Sequence, residues 1–165
     1  MRWFRLCLVC LAWAAAPAAA ETMHGVVIVV IDGDTVLFKP DHARAGSRAF
    51  QKIRLADIDA PEQNQPHGDA ATRVLTELVL KKRVEIDTVA TDGYGRKVAQ
   101  IQVGALQVNT ELVRRGAAWA STRHRRKPAL TAAQHEARHA RLGLWAETDP
   151  TPPWVWRRTQ SSPAF

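Results

Sequence analysis

Between Lys52 and Glu62 the chain reads Lys-Ile-Arg-Leu-Ala-Asp-Ile-Asp-Ala-Pro-Glu, and this stretch constrains the fold more than any other. Ile53, Leu55 and Ile58 favour extended backbone, while the residue before Pro61 is kept out of the helical region, so a strand must run out into a turn here. Asp57, Asp59 and Glu62 are thereby placed near a rim. Arg54 and Asp59 are an odd number of positions apart, so an unbroken strand would send them to opposite faces. A site that uses both requires the strand to end or bulge before Asp59. Turns collect Asp and Pro for conformational reasons alone, so this stretch by itself does not define a site.

The segments around it supply strands and helices. Gly25 to Ile31 is an unbroken β-branched run, read as a strand covered on both sides. Asp32-Gly33 is a tight-turn dipeptide and Thr35 to Phe38 resumes as a strand, which makes a hairpin. The turn explains Asp32 but not Asp34, because acids are disfavoured at the mouth of a strand. Pro40 to Ser47 reads as an irregular loop. Gly68 to Lys82 puts Ala71, Val74, Leu75, Leu78 and Val79 on one helical face, with Lys81 and Lys82 complementing the end of the dipole. Val84 to Val89 alternates as a half-buried strand, and Thr91 to Arg96 is a two-glycine turn that leaves Arg96 at a rim before Val98 to Val103 resumes. Val108 to Arg115 is a short helix stopped by Gly116, Ala117 to Ala120 a connector, and Ala129 to Trp145 the longest helical pattern. Arg123 to Lys127 is a basic cluster. Residues 148–165, rich in proline and serine around Trp154 and Trp156, are expected to form an extended or loosely docked end.

The 165 residues suit one domain, and the first twenty do not belong to it. Met1 to Ala20 has a positive start at Arg2 and Arg5, an apolar run from Leu6 to Trp13 and an Ala18-Ala19-Ala20 end, the pattern of a secretory signal peptide. The expected product is exported, periplasmic or secreted, and begins near Glu21. Its domain spans residues 21–147. Cys7 and Cys10 both fall in the leader, so the exported chain is expected to hold its fold without a disulfide. Loss of Arg2 and Arg5 lowers the formal net charge from +7 to +5, a basic balance that favours polyanions such as nucleic acid.

Two constellations carry chemistry. His135-Glu136-Ala137-Arg138-His139 matches the H-E-x-x-H zinc pattern, but Leu142 and Trp145 stand where a continuing zinc motif needs glycine and histidine. Arg138 and Arg141 also oppose a cation, and exposed helix histidines are the simpler reading. The other constellation is spread over three turns: Asp34, then Asp59 and Glu62, with Arg54 and Arg96 as cations. Hydrolysing a phosphodiester needs oxygen ligands for a hard divalent ion, cations for the developing phosphoryl charge, and a group that positions or deprotonates water. Arginine suits phosphate because its fork donates two parallel bonds.

Ile31-Asp32-Gly33-Asp34-Thr35, Arg54-Leu55 through Asp59-Ala60-Pro61-Glu62, Asp92-Gly93-Tyr94-Gly95-Arg96, and Val108-Asn109 through Leu112-Val113-Arg114-Arg115-Gly116 together resemble the staphylococcal nuclease (thermonuclease-like) family in order and approximate spacing, from about Gly25 to Trp145. The resemblance implies an α+β fold, a five-stranded OB-type β-barrel with three α-helices. It implies a calcium-dependent endonuclease that cuts DNA and RNA and leaves 3′-phosphates. Carried over, Asp34 and Asp59 are the carboxylate metal ligands for Ca2+ and Ala60 adds its carbonyl. Arg54 and Arg96 bind phosphate, Glu62 orients or deprotonates water, Asp32 supports the metal turn and Tyr94 contacts substrate. The chain departs from the family's prototype at Ala60, where the prototype has a threonine, at Gly93, where it has a lysine, and at Ser121 and Thr122, near which it has tyrosines lining the nucleotide pocket. DNA and RNA are the expected partners; no stable protein partner is implied, and no membrane contact after leader removal. The rival reading is a non-catalytic OB-fold nucleic-acid binder, against which stand three acids that repel phosphate unless a cation sits among them.

Overall fold

The computed structural model describes residues 21–42, 48–121 and 127–161; the signal-peptide reading of residues 1–20, most of the Arg123–Lys127 cluster and part of the Pro40–Ser47 loop lie outside them. Strand β1 (Glu21–Asp32) turns through Gly33 and Asp34 into antiparallel β2 (Thr35–Pro40), with Asp32 opposite Thr35. The expected hairpin is present, its two turn residues one position later than the Asp32-Gly33 pair. Strand β3 (Gln51–Leu55) pairs with β2 and sets Arg54 opposite Thr35. On its other edge β1 pairs with β5 (Arg83–Thr91), which pairs in turn with β6 (Lys97–Val103). A parallel ladder between β3 and β6, with Arg54 beside Val98, closes five strands into a barrel. Closure leaves β1, β2, β3, β5 and β6 without a free edge among themselves.

The remaining elements attach to this barrel. A two-residue strand β4 (Ile58–Asp59) follows β3 and pairs with β8 (Trp119–Ala120), while β7 (Leu106–Gln107) extends β6. The three expected helices are α1 (Gly68–Val79), α2 (Val108–Arg114) and α3 (Pro128–His139). Val27, Val36, Phe38, Ile53, Leu55, Leu75, Ile86, Ile101 and Leu112 are fully buried and join the barrel interior to α1 and α2. A smaller cluster of Trp119, Ala137, Leu144 and Trp145 fills the space under α3.

Four local expectations are corrected. β1 is not covered on both sides: Gly25 and Val27 are buried, but Val29 is 45% exposed, because the strand bulges between these valines and a barrel wall has one inner face. Helix α1 stops at Val79 rather than Lys82, since Leu80 bridges to Val27 and Lys81 takes a left-handed φ of 58°. The pattern from Ala129 to Trp145 is two pieces, α3 and a 3-10 turn (Gly143–Ala146), separated by positive φ at Arg141 and Gly143. Gly143 lies against Gly116, whose carbonyl accepts from Leu144 N at 2.9 Å, and a Cβ on either glycine would strike the other segment's backbone.

The fourth correction concerns the tail. It is not extended: Pro153–Ser161 forms a helix, α4, which makes four α-helices among the described residues where three were expected. Proline at its first position is compatible with a helix start, and Trp154 packs edge-on against Trp119 at 6.4 Å, so the tail shares the tryptophan cluster instead of needing a core of its own.

Candidate functional site

Asp34 is the second residue of the β1–β2 turn. Its own N–H donates to Asp32 Oδ1 at 3.0 Å, which fixes the turn, and its carbonyl accepts from Leu55 N at 2.8 Å, which ties the turn to the end of β3. The Asp34 carboxylate thus points at the β3–β4 corner. Oδ1 accepts from Arg54 Nη1 at 2.7 Å and from Thr35 Oγ1 at 3.0 Å, and Oδ2 accepts from Ala60 N at 3.1 Å.

The corner resolves the parity problem between Arg54 and Asp59. Asp57 adopts a left-handed φ of 60°, breaking the strand between the two residues, and β4 carries Asp59 back to the side occupied by Arg54. Arg54 Nη2 then donates to Asp59 Oδ1 at 2.8 Å, so one guanidinium bridges Asp34 and Asp59. The corner is fastened from behind. Gln100 Nε2 donates to Asp57 Oδ2 at 2.9 Å, and Asn109, fully buried, donates to Ala56 O at 2.9 Å and Ala99 O at 3.2 Å while accepting from Ile101 N at 3.0 Å. Both bridged acids are buried, each with 4% of its surface exposed.

Burial governs the electrostatics. It pushes the Asp34 carboxyl up to about 7, against the opposing pull of the Arg54 guanidinium and with a further push from Asp32. Burial would lower the Arg54 pKa, but Asp34 and Asp59 more than offset that and raise it, so Arg54 stays charged.

Glu62 follows Pro61 on the turn before α1. Its N–H donates to Gln65 Oε1 at 3.1 Å, and its half-exposed carboxylate faces Arg157 of α4. Arg157 Nη1 donates to Glu62 Oε1 at 2.5 Å and Asp59 Oδ1 at 3.2 Å, and Nη2 donates to Asp59 Oδ2 at 2.6 Å. The bonds to Asp59 above all, and to Glu62, raise the Arg157 pKa despite partial burial. The sequence reading missed Arg157. The available signal was a proline-led aromatic segment, Pro152-Pro153-Trp154-Val155-Trp156-Arg157, able to start a helix and anchor it by an indole.

The structure therefore brings Asp34, Asp59, Ala60, Arg54 and Glu62 together, with Asp32 behind them. Arg96 and Tyr94 lie on the neighbouring β5–β6 turn. Arg96 immediately precedes β6, two positions before Val98, the register partner of Arg54. Its Nε donates to Asp92 Oδ2 at 2.7 Å, its guanidinium carbon is 5.5 Å from the Tyr94 ring centroid, and Tyr94 is 89% exposed. Burial alone would raise the Asp92 pKa slightly, but bonds from Arg96 and from Tyr94 N hold it below its ordinary value. A groove of about 1230 Å³ opens beside this turn, lined by Tyr94, Arg96, Lys97, Lys52, Arg48 and Phe50 among others. Its lining includes Glu21 and Asp41 but not Asp34, Asp59 or Glu62, and the two features meet at β3, where Lys52 lines the groove and Arg54 joins the acids. His135, Glu136 and His139 are exposed on α3, and Glu136 faces Arg114 Nε at 3.7 Å.

All donors at the acidic corner are oxygens, which fits a hard cation such as calcium. Among the described residues no three His, Cys, Asp or Glu side chains already converge on one point; Asp34 and Asp59, bridged by Arg54, are the carboxylates of this corner that could hold a cation.

A closed five-stranded mixed barrel flanked by helices, with an arginine-bridged acid pair at the β3–β4 corner, is an OB-type architecture. The family model described as "Staphylococcal nuclease homologue" matches residues 52–147. A protein described as an uncharacterized endonuclease from Escherichia coli O157:H7 is 39% identical over 142 residues, covering 86% of this chain and 89% of its own. A micrococcal nuclease from Shigella flexneri is 32% identical over 160 residues, covering 90% and 87%. A further uncharacterized endonuclease, from Haemophilus influenzae, is 34% identical over 134 residues, covering 81% and 72%. The chain belongs to the staphylococcal nuclease family.

Proposed function

We propose that this protein is an exported, calcium-dependent endonuclease that hydrolyses phosphodiester bonds of DNA and RNA with little sugar specificity. The observation that carries the reading is Arg54 bridging two buried carboxylates at one corner of the barrel. Relatives described as nucleases support the same reaction class. The formal charge, +7 over the whole sequence and +5 without Arg2 and Arg5, supports a polyanionic substrate.

Asp34 and Asp59, with the Ala60 carbonyl, would hold the cation, which when bound supplies charge neutralisation at a phosphoryl oxygen. The chain's own groups do the rest. Arg54, fixed between Asp34 and Asp59, presents its outward N–H groups to a non-bridging phosphate oxygen. Glu62 orients water and accepts its proton as the water oxygen bonds to phosphorus. The P–O5′ bond breaks, Arg96 meets the charge on the departing oxygen, and that oxygen takes a proton from solvent, leaving a 3′-phosphate and a 5′-hydroxyl. Tyr94, exposed beside Arg96, packs against the nucleotide, and Asp32 keeps the Asp34 turn in shape. Export rests on the sequence of residues 1–20.

The test is cleavage of plasmid DNA and of a single-stranded RNA by the mature chain, with calcium, with chelator, and as Glu62→Gln. Activity on both substrates that needs calcium and falls by about 10²–10⁴-fold in the variant is expected. Retention of nucleic acid without cleavage would identify a binding protein instead.

A further inference from the structure

Helix α4 reaches back from the end of the chain onto the acidic corner. Arg157 engages both oxygens of Asp59 and one oxygen of Glu62, the acids assigned above to the cation and to water. Arg54 already donates to Asp59 Oδ1, so the Asp59 carboxylate is held between two guanidinium groups. Three contacts outside the catalytic set seat the helix. Trp154 packs on Trp119, Trp156 Nε1 donates to Asn64 Oδ1 at 3.2 Å, and Gln65 Nε2 donates to Thr151 O at 2.6 Å just ahead of the helix. Gln65 is buried and also accepts from Glu62 N, so the strap and the Glu62 turn share one side chain. Arg157 is itself 37% exposed, which leaves its side chain a route into solvent.

We propose that α4 is an autoinhibitory latch: Arg157 competes with the divalent cation for Asp59 and Glu62, so cation loading requires its guanidinium to withdraw. A guanidinium and a hard cation seek the same carboxylate lone pairs: at Asp59, Oδ1 already accepts from Arg54 and Arg157 and Oδ2 from Arg157, and the positive charge of Arg157 opposes a cation at what is left. The latch lowers cation affinity and couples loading to the surroundings of Trp154 and Trp156. This inference rests on the reading of Asp34, Asp59 and Glu62 as the cation and water carboxylates.

The experiment is calcium titration calorimetry on the mature full chain, paired with tryptophan emission, for wild type, Arg157→Ala, Trp156→Phe and Asp59→Asn. Arg157→Ala is expected to bind calcium about 10–100-fold more tightly, the loss of competing charge-assisted bonds, and to lose most of the calcium-dependent emission change seen in wild type. Trp156→Phe, which loosens the seat without touching an acid, is expected to fall between the two, and it carries the test should Arg157→Ala fail to fold. Asp59→Asn is expected to bind calcium weakly in every case. Unchanged or weaker calcium binding in Arg157→Ala overturns the latch alone; if cleavage also slows at unchanged affinity, Arg157 acts on the substrate side instead. Absence of calcium binding from wild type and all variants overturns both the latch and the cation reading beneath it.

Discussion

Arg54 is the residue on which the acidic corner turns, because its two Nη atoms serve two different acids. Lysine keeps the charge but has no planar fork, so it cannot hold both bonds in that geometry. Arg54→Lys is expected to lower kcat by about 10²-fold or more with little change in KM, whereas Arg54→Ala also strands buried charge and should cost roughly 3–5 kcal/mol in urea unfolding. Asp34 makes a separate, pH-dependent prediction. Its folded pKa, about 7, lies above its ordinary value of 3.8, so the folded chain holds this proton over a range in which the unfolded chain has released it. Stability from this group is therefore present at low pH, falls as pH rises from about 4 to about 7, and levels off beyond. The Tm advantage of Asp34→Asn over wild type, measured without divalent cations, should widen over that interval; a gap that narrows would reverse the sign. At this scale the sequence was informative where side-chain parity could be counted. The separation of Arg54 from Asp59 demanded a break, and the positive φ at Asp57 is that break. Arg157 was hidden because nothing local marks which distant acids a tail arginine will meet.

Among the elements, the corner between β3 and β4 is held by a side chain from another element, Asn109 at the start of α2. Asn109→Ala would orphan Ile101 N and Ala56 O in a dry interior, so a loss of roughly 2–4 kcal/mol in chemical denaturation is expected, together with reduced cleavage because Asp59 loses its backing. The hairpins and the three helices before residue 140 were legible from periodicity, since each has one buried face. The break at Arg141 and Gly143 was not, because the apolar spacing continues through it and only the contact with Gly116 explains the stop. Helix α4 was obscured by composition. Proline and serine argue for irregular chain, yet the first proline fits a helix start and one indole finds a cluster built by Trp119 and Trp145.

For the molecule as a whole, barrel closure is what gathers the site. The parallel ladder of β3 with β6 sets the Arg54 strand beside the strand that follows Arg96, and the β1–β2 turn delivers Asp34 from the other side. The groove beside that ladder carries Lys52, Arg48, Arg83, Arg96 and Lys97 against Glu21 and Asp41, a cationic excess that gives a polyanion a path beside the acids. Substrate KM should accordingly rise steeply with salt, with a log–log slope reporting the number of phosphates neutralised, and a double charge reversal at Arg48 and Lys52 should flatten it. The barrel was readable because five strand-like runs separated by turn signals, with the family's four motifs in order on the turns, the β3 end and α2, follow one another along the chain. The groove was not, because it is built from the ends of strands far apart in the chain.

The central claim, that the acids bridged by Arg54 hold a cation used to open a phosphodiester, is tested most directly by cleavage rate as a function of free calcium for wild type and Asp59→Asn. Half-saturation displaced upward by at least about tenfold in the variant, with no cleavage by either protein in chelator, is the predicted result. Superimposable calcium curves, or cleavage that persists in chelator, would contradict it.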